Sequence, residues 1–164
     1  SNLNKLTSND DSEFTDRHKI VEKIDIKTTT VDEFCKNNSI NFDFIRMDIE
    51  GSEVGVFQGM QNTLKSANKG FMIVVELHPH LYSETNDFSK ELEIVLELGY
   101  KAKVVVSAGE PRPKKFVDLN YSPMFEIETD GFIRGWYENI RDEDVIELTC
   151  SRPKMSRYVL LEKA

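Results

Sequence analysis

Two apolar segments that each end in acidic or imidazole side chains constrain the fold of this chain more than any other feature. They span residues 42–47 and 71–77. Nearly continuous apolar character over so few residues predicts buried strands, covered on both faces as in a parallel sheet. In open α/β sheets, ligands bind just beyond the carboxyl ends of such strands. The pattern therefore predicts an α/β fold with one crevice lined by Asp48, Glu50, Glu53, Glu76 and His78.

Local signals predict helices and a third strand around this pair. Thr30, with Glu33 three residues later, forms the pattern of a capping box and predicts a short helix that ends at the two asparagines 37–38. Apolar residues at helical spacing predict one helix after Gly51 that reaches Leu64. A further helix over 88–98, stopped by Gly99, leads to a third core strand over 100–106.

The C-terminal part has the pattern of an antiparallel addition to the sheet. Residues 109–123 predict a long loop, and Asp130-Gly131 between two apolar stretches predicts a hairpin over 124–134. A short acidic helix over 142–148 and a closing strand over 158–161 follow. We expect residues 1–18 to be a flexible polar arm and residues 19–164 to be a single α/β domain, with residues 19–27 as an edge strand.

Composition narrows the classes of function. The net charge of −8 disfavours duplex nucleic acid and anionic membranes as main partners. No apolar run approaches the ~20 residues that span a bilayer, and the N-terminal residues lack the pattern of a signal peptide, so we predict a cytoplasmic protein. Cys35 and Cys150 lie too far apart for a metal-ligand motif and are predicted to be structural. The basic runs at 112–115 and 152–154 are predicted to be solvated loops, with phosphate binding the less favoured alternative.

The segments 30–34, 42–53 and 74–79 resemble the second half of an FkbM-type methyltransferase. The resemblance runs from about residue 20 to residue 106, and Asp-Ile-Glu-Gly-Ser-Glu at 48–53 is its most specific part. It implies an enzyme that uses S-adenosylmethionine, with O-methylation of hydroxyl groups on sugars or natural products. It also implies a Rossmann-like class I methyltransferase sheet, in which the two buried strands are the fourth and fifth and the last two strands form an antiparallel edge.

The resemblance also implies upstream motifs that this sequence does not carry. Members of the family have a first strand that ends in a glycine-rich turn and a second strand that ends in an acid for the ribose. We therefore expect a partial sheet from the fourth strand onward, a truncated or incomplete domain that is inactive as an isolated chain, and no assignable cofactor-binding residues. An uncovered edge on the 42–47 strand would favour a homo-oligomer or another intermolecular strand pairing.

The strand-end argument assigns candidate roles. Asp48 is the first choice for the general base or for the carboxylate that holds the acceptor hydroxyl, and His78 is the alternative base. Glu50 would orient the substrate or share the role of base. Glu53, Glu76 and Gly51 are supporting residues. The competing interpretation makes Asp48 and Glu50 helix caps, Glu53 a charge at a helix terminus, and Glu76 a structural ion-pair partner of Arg46 or His78.

Two other classes of function stay open. One is a non-catalytic remnant or an oligomerising interaction module built on the half-sheet. The less favoured one is a metal-dependent hydrolase, since Asp48, Glu50, Glu53 and His78 are residue types that bind divalent ions. Their spacing matches no strong zinc or calcium signature, so the sequence predicts no metal site.

Overall fold

The described residues form an open sheet of six strands with helices packed against it. The computed structural model of the chain describes residues 25–84, 86–151 and 154–164. In chain order the elements are α1 Val31–Asn38, β1 Phe44–Met47, α2 Glu53–Gln58, α3 Gln61–Ser66, β2 Met72–Glu76, a 3₁₀ helix Pro79–Leu81, α4 Phe88–Glu97, β3 Tyr100–Ser107, α5 Lys114–Asp118, β4 Phe125–Thr129, β5 Phe132–Glu138, α6 Asp142–Cys150 and β6 Ser156–Lys163. The mixed α/β class agrees with the prediction.

The order of the strands is β1-β2-β6-β3-β5-β4. β1 and β2 are parallel and are connected through α2 and α3, whereas all other neighbouring pairs are antiparallel. The hairpin β4–β5 forms an antiparallel edge, as predicted, and turns at Asp130 and Gly131, both with positive φ. The closing strand β6 does not join this edge. It lies inside the sheet, between β2 and β3.

The core lies where the central strands meet the helices. α4 packs on β3, and α6 packs on β3 and β6. Phe57 of α2 and Phe88 of α4 meet edge to face, with ring centroids 4.9 Å apart, a favourable arrangement for buried aromatic rings. Within the described ranges, no helix combines the length and the apolar character needed to cross a membrane.

The single helix expected after Gly51 is wrong, because the chain forms two short helices there. The break falls at Gly59, where an added Cβ would lie 3.1 Å from Cβ of Thr30. α1 packs against this point. Its Asp32 carboxylate accepts hydrogen bonds from the backbone N–H groups of Asn62 (2.9 Å) and Thr63 (2.8 Å), so α3 begins with an N-terminal cap supplied by another helix.

Asp32 is therefore a structural carboxylate whose ionised form the fold stabilises. Burial raises the pKa of Asp32, but the hydrogen bonds from Thr63 and Asn62 together outweigh that effect and leave the pKa below its usual value. At the start of α1 the predicted capping box is present. Thr30 Oγ1 accepts from the Glu33 N–H at 3.1 Å, and the Glu33 side chain accepts from the Thr30 N–H at 3.5 Å.

The long loop predicted over 109–123 is also wrong in part, because it contains α5. This helix starts after Pro113, which lacks the N–H that a helix start leaves unpaired. Phe116 of α5 is fully buried, and its ring lies 4.2 Å from that of Tyr137. Burial of one aromatic residue against a strand thus folds a segment whose local composition favours a loop.

β1 is not covered on both faces, contrary to the prediction. Phe44 is 49% exposed whereas Met47 is buried, so one face of the strand is open. The outer edge of β1 is open as well, since among the described residues its only strand partner is β2. The strand predicted over 19–27 falls partly outside the described residues, and residues 25–30 have no regular secondary structure. The arm predicted over 1–18 lies wholly outside the described residues, so the division of the chain into arm and domain stays a prediction.

Candidate functional site

The parallel strands β1 and β2 carry the candidate residues to one end of the sheet. Met47 is aligned with Val75 in the register of the pair, so Asp48 and Glu76 follow at the same level. His78 comes two residues after Glu76, just beyond the strand. The structure thereby brings together all five side chains that the strand-end argument places in one crevice: Asp48, Glu50, Glu53, Glu76 and His78.

A tight turn after β1 places the acidic side chains that follow it in different environments. Glu50 and Gly51 both have positive φ, +50° and +93°, a backbone region that costs a non-glycine residue about 1–2 kcal/mol. An added Cβ on Gly51 would lie 2.8 Å from Cβ of Leu81, so the turn packs closely against the 3₁₀ helix. The turn leaves Glu50 partly exposed, while Glu53, at the start of α2, points inward and accepts the Gly51 N–H at 3.2 Å.

Glu53 and His78 form a buried pair at the centre of the site. Oε1 of Glu53 lies 2.6 Å from Nδ1 of His78, and the two residues are 0% and 2% exposed. A carboxylate only accepts hydrogen bonds, so the proton of this bond lies on Nδ1. In the neutral imidazole the lone pair is then on Nε2. Glu53 is thus placed to orient His78, whereas the competing interpretation of the sequence made it only a charge at a helix terminus.

Nε2 of His78 faces three other carboxylates. It lies 3.6 Å from Oε2 of Glu50, 3.7 Å from Oε1 of Glu76 and 3.9 Å from Oδ1 of Asp48. The side chains of Asp48 and Glu50 are 34% and 44% exposed, so they line the mouth of the crevice. A fixed nitrogen lone pair and two accessible carboxylates can together accept hydrogen bonds from a ligand and can take up a proton.

Glu76 is held by a basic residue that the sequence analysis did not identify. Its carboxylate pairs with Arg157 of β6, and Arg46, one of the two partners expected for Glu76, lies instead 3.5 Å from Asp48. The pKa of Glu76 is raised, chiefly by burial and also by the neighbouring Asp48, while Arg157 and His78 act in the opposite direction. The pairing with Arg157 makes Glu76 a structural support of the site.

Tyr82 and Lys154 were also missed. The Tyr82 hydroxyl oxygen accepts the backbone N–H of His78 at 3.4 Å, and the pKa of Tyr82 is raised by burial and then by Glu53. Lys154 is half-buried, and burial lowers its pKa; Arg157 lowers it further, while Glu76 and Glu50 act in the opposite direction. Residues 152 and 153 of the predicted solvated loop lie outside the described residues. The spacing from His78 to Tyr82 fits one turn of a helix and was the available signal. Arg157 could be found only from the pairing of β6 with β2.

Gly51 does not provide a glycine cradle for S-adenosylmethionine. Such a cradle needs a glycine turn with open space where a Cβ would stand. Gly51 is the glycine nearest the site, and Leu81 fills that space. A cavity of about 660 Å³ lies at the opposite end of β1 and β2, where Asp32, Cys35, Asn41, Thr63 and Phe71 are among its lining residues, and it shares no residue with the site.

Comparison with known proteins gives one match. A model of the methyltransferase FkbM domain matches residues 1–102, which include α1, β1, β2 and every site residue predicted from the sequence. No curated protein and no solved structure matches the chain. The matched region covers more than half of the chain, and the resemblance noted in the residues 48–53 falls inside it. The chain therefore belongs to the FkbM methyltransferase domain family.

Proposed function

We propose that this chain supplies the acceptor site of a methyltransferase that uses S-adenosylmethionine and methylates a hydroxyl group of a sugar or natural product. Membership of the FkbM family supports the reaction class. The observation that carries the site is the buried Glu53–His78 pair, which directs Nε2 toward Asp48 and Glu50. A Rossmann-like sheet, with β1 and β2 as its fourth and fifth strands, is supported by their parallel pairing through a helical crossover.

The side chains at the mouth suit a hydroxyl acceptor. Methylation of a hydroxyl requires that its oxygen be positioned and that its proton be removed. Asp48 and Glu50 can accept hydrogen bonds from the acceptor, and Asp48 and Nε2 of His78 are the two groups placed to take its proton. Glu53 keeps the imidazole in one orientation, as the carboxylate does in other histidine-carboxylate pairs. S-adenosylmethionine, when bound, supplies the methyl group, and no described residue is assigned to it.

A transfer assay tests this proposal. The chain is incubated with S-adenosylmethionine carrying a tritiated methyl group and with a panel of sugars and polyhydroxylated compounds, while calorimetry measures cofactor binding and sedimentation measures the oligomeric state of the same sample. Loss of a general base lowers the rate about 10²–10⁴-fold, and we expect that loss for His78→Ala. The control is Glu93→Ala, at an exposed position of α4 away from the site.

The outcomes separate clearly. Transfer that is lost in His78→Ala and kept in Glu93→Ala supports the proposal. Equal activity of the two variants would remove His78 from the site. If the chain neither binds S-adenosylmethionine nor transfers its methyl group in any oligomeric state, the proposal is wrong for this chain.

A second candidate function is a module that associates through the edge of β1. In the part of the chain that the structure describes, no strand pairs with the outer edge of β1, and Phe44 and its cross-strand neighbour Met72 are 49% and 38% exposed. Such an edge is a template for pairing with a second copy. Sedimentation would show a dimer that Phe44→Lys dissociates. The dimer would persist in Phe132→Lys, because Phe132 is in β5, near the other edge of the sheet. A monomeric parent chain would exclude this candidate.

A further inference from the structure

We propose that Asp48, Glu50 and Nε2 of His78 bind one divalent metal ion, with Glu53 orienting the histidine ligand. Binding of the ion follows from the side chains of this chain alone. The role of the ion in holding an acceptor hydroxyl rests on the function proposed above.

The donor atoms have the spacing of a metal site. One oxygen each of Asp48 and Glu50 and one nitrogen of His78 all lie within 4.8 Å of one another. Two donors that are each about 2.1 Å from one ion are themselves about 3–4 Å apart. Nε2 lies 3.6 Å from the Glu50 oxygen and 3.9 Å from the Asp48 oxygen, so an ion fits between them with little movement of two partly exposed carboxylates.

The Glu53–His78 pair is an independent indication of a metal. Histidine ligands of metals almost always donate their second ring N–H to a carboxylate, a backbone carbonyl or water, which fixes the tautomer and the ring orientation. Here Nδ1 is bonded to a fully buried carboxylate at 2.6 Å, in a histidine that is itself 2% exposed. Nε2 is left as a buried lone pair aimed at carboxylate oxygens. When the imidazole is neutral, Nε2 and these oxygens are all hydrogen-bond acceptors and repel one another. A cation between them turns this mutual repulsion into binding.

The charge of the cluster favours a divalent ion. Four carboxylates surround His78, and two arginines pair with them, Arg157 with Glu76 and Arg46 with Asp48. Glu50 and Glu53 have no lysine or arginine within ion-pair distance among residues 25–84, 86–151 and 154–164. Lys154 acts on Glu50 only from beyond ion-pair distance, so the two carboxylates have His78 as their close partner, and a divalent ion would balance their charge.

The ligand set favours Mn²⁺ or a similar transition metal over Mg²⁺ and Ca²⁺. Mg²⁺ and Ca²⁺ prefer all-oxygen sites, whereas imidazole suits later divalent metals and carboxylates suit Mn²⁺. Three protein ligands at the mouth of a crevice leave coordination positions open for water or for an acceptor oxygen, as in catalytic metal sites. An acceptor hydroxyl bound there would be held in place and made more acidic.

Binding of Mn²⁺ to the metal-stripped chain tests the proposal directly. Free Mn²⁺ is followed by electron paramagnetic resonance, because bound Mn²⁺ loses the sharp signal of the aqueous ion. We expect one ion per chain and an affinity that falls at least 10-fold in Asp48→Asn and in Glu50→Gln, two partly exposed positions where the fold tolerates the change. Loss of an outer-shell partner costs about 10–100-fold in affinity, and we expect that loss in Glu53→Gln. Glu93→Gln, at an exposed position of α4, is the control and keeps the affinity of the parent chain.

The proposal is overturned if the chain binds no Mn²⁺, or if Asp48→Asn and Glu50→Gln bind it as tightly as Glu93→Gln. Circular dichroism of each variant verifies that the comparison is made between folded chains. The methyl-transfer assay separates the two proposals. Mn²⁺ binding without transfer keeps the metal site and removes the proposed function, whereas transfer that survives metal stripping keeps the proposed function and removes the role of the ion.

Discussion

Replacing Glu53 by glutamine tests whether a buried carboxylate holds the site together. Glutamine keeps the size and shape of the side chain and removes its charge. Oε1 of Glu53 accepts from Nδ1 of His78 at 2.6 Å and from the Gly51 N–H at 3.2 Å, and Oε2 is buried without a hydrogen-bond partner within the described part of the chain. The variant therefore exchanges a charged acceptor for a neutral one and buries an NH₂ group at the position of Oε2, beside the Tyr82 hydroxyl.

Both changes lower the free energy of unfolding. A hydrogen bond to a charged group contributes about 1–1.5 kcal/mol more than a neutral one, and a buried donor without a partner costs about 1–3 kcal/mol. If the amide is rotated to put its NH₂ toward Gly51 and Nδ1 of His78, donors face donors, so no orientation avoids the loss. We expect Glu53→Gln to be about 1–4 kcal/mol less stable, with the smaller loss if the Tyr82 hydroxyl accepts from the new NH₂ group. This is about 2–16 °C in Tm for a chain of this size.

Urea unfolding followed by circular dichroism measures this difference. Glu93→Gln makes the same chemical change at an exposed position and should lie within about 0.5 kcal/mol of the parent chain. If Glu53→Gln unfolds at the same urea concentration as Glu93→Gln, then the Glu53 carboxylate does not stabilise the site, and the orientation of His78 must have another cause.

Three further predictions concern close packing and capping, each measured by urea unfolding. Gly51→Ala should lose about 2–4 kcal/mol, because φ is +93° and the new Cβ would lie 2.8 Å from that of Leu81; a neutral result would contradict this packing. Gly135→Ala should lose more than about 3 kcal/mol, since the new Cβ would lie 2.1 Å from the Pro111 carbonyl oxygen, and a stable variant would refute it. Asp32→Asn should lose about 1 kcal/mol at pH 7, because the new NH₂ group cannot accept one of the two backbone N–H bonds. Because the folded pKa of Asp32 is lowered, the stabilisation is present above about pH 4 and disappears as the pH falls below that value, so an unchanged difference at pH 3 would count against it.

Elements with local signals could be predicted from the sequence. The capping box at Thr30, the helix stop at Gly99 and the turn at Asp130 depend on residues within a few positions of one another, and all three are present in the structure. Elements set by distant contacts could not. The break at Gly59 depends on α1, α5 depends on Tyr137, and the insertion of β6 between β2 and β3 depends on the pairing of the whole sheet.

The candidate site follows the same division. Asp48 and His78 could be placed together because both directly follow parallel strands, which end at one edge of the sheet. Glu53 could be placed in the same crevice, but its burial and its hydrogen bond to His78 could not be predicted, since an acid in the first turn of a helix is equally explained by the helix dipole. Arg157 was out of reach because it is 81 positions from Glu76 in the sequence and meets it only through the register of β6 with β2.

The left-handed backbone of Glu50 sets the stability of the fold against the composition of the candidate site. Glycine adopts φ of +50° without cost, so Glu50→Gly would relieve about 1–2 kcal/mol of backbone strain while deleting a carboxylate from the mouth of the crevice. Positions where the native residue is worse for folding than a simple alternative are typical of sites shaped by function. A laboratory evolution experiment that selected for thermal stability alone would favour this exchange. The resulting protein would be more stable and would lack the Glu50 carboxylate at the mouth of the crevice.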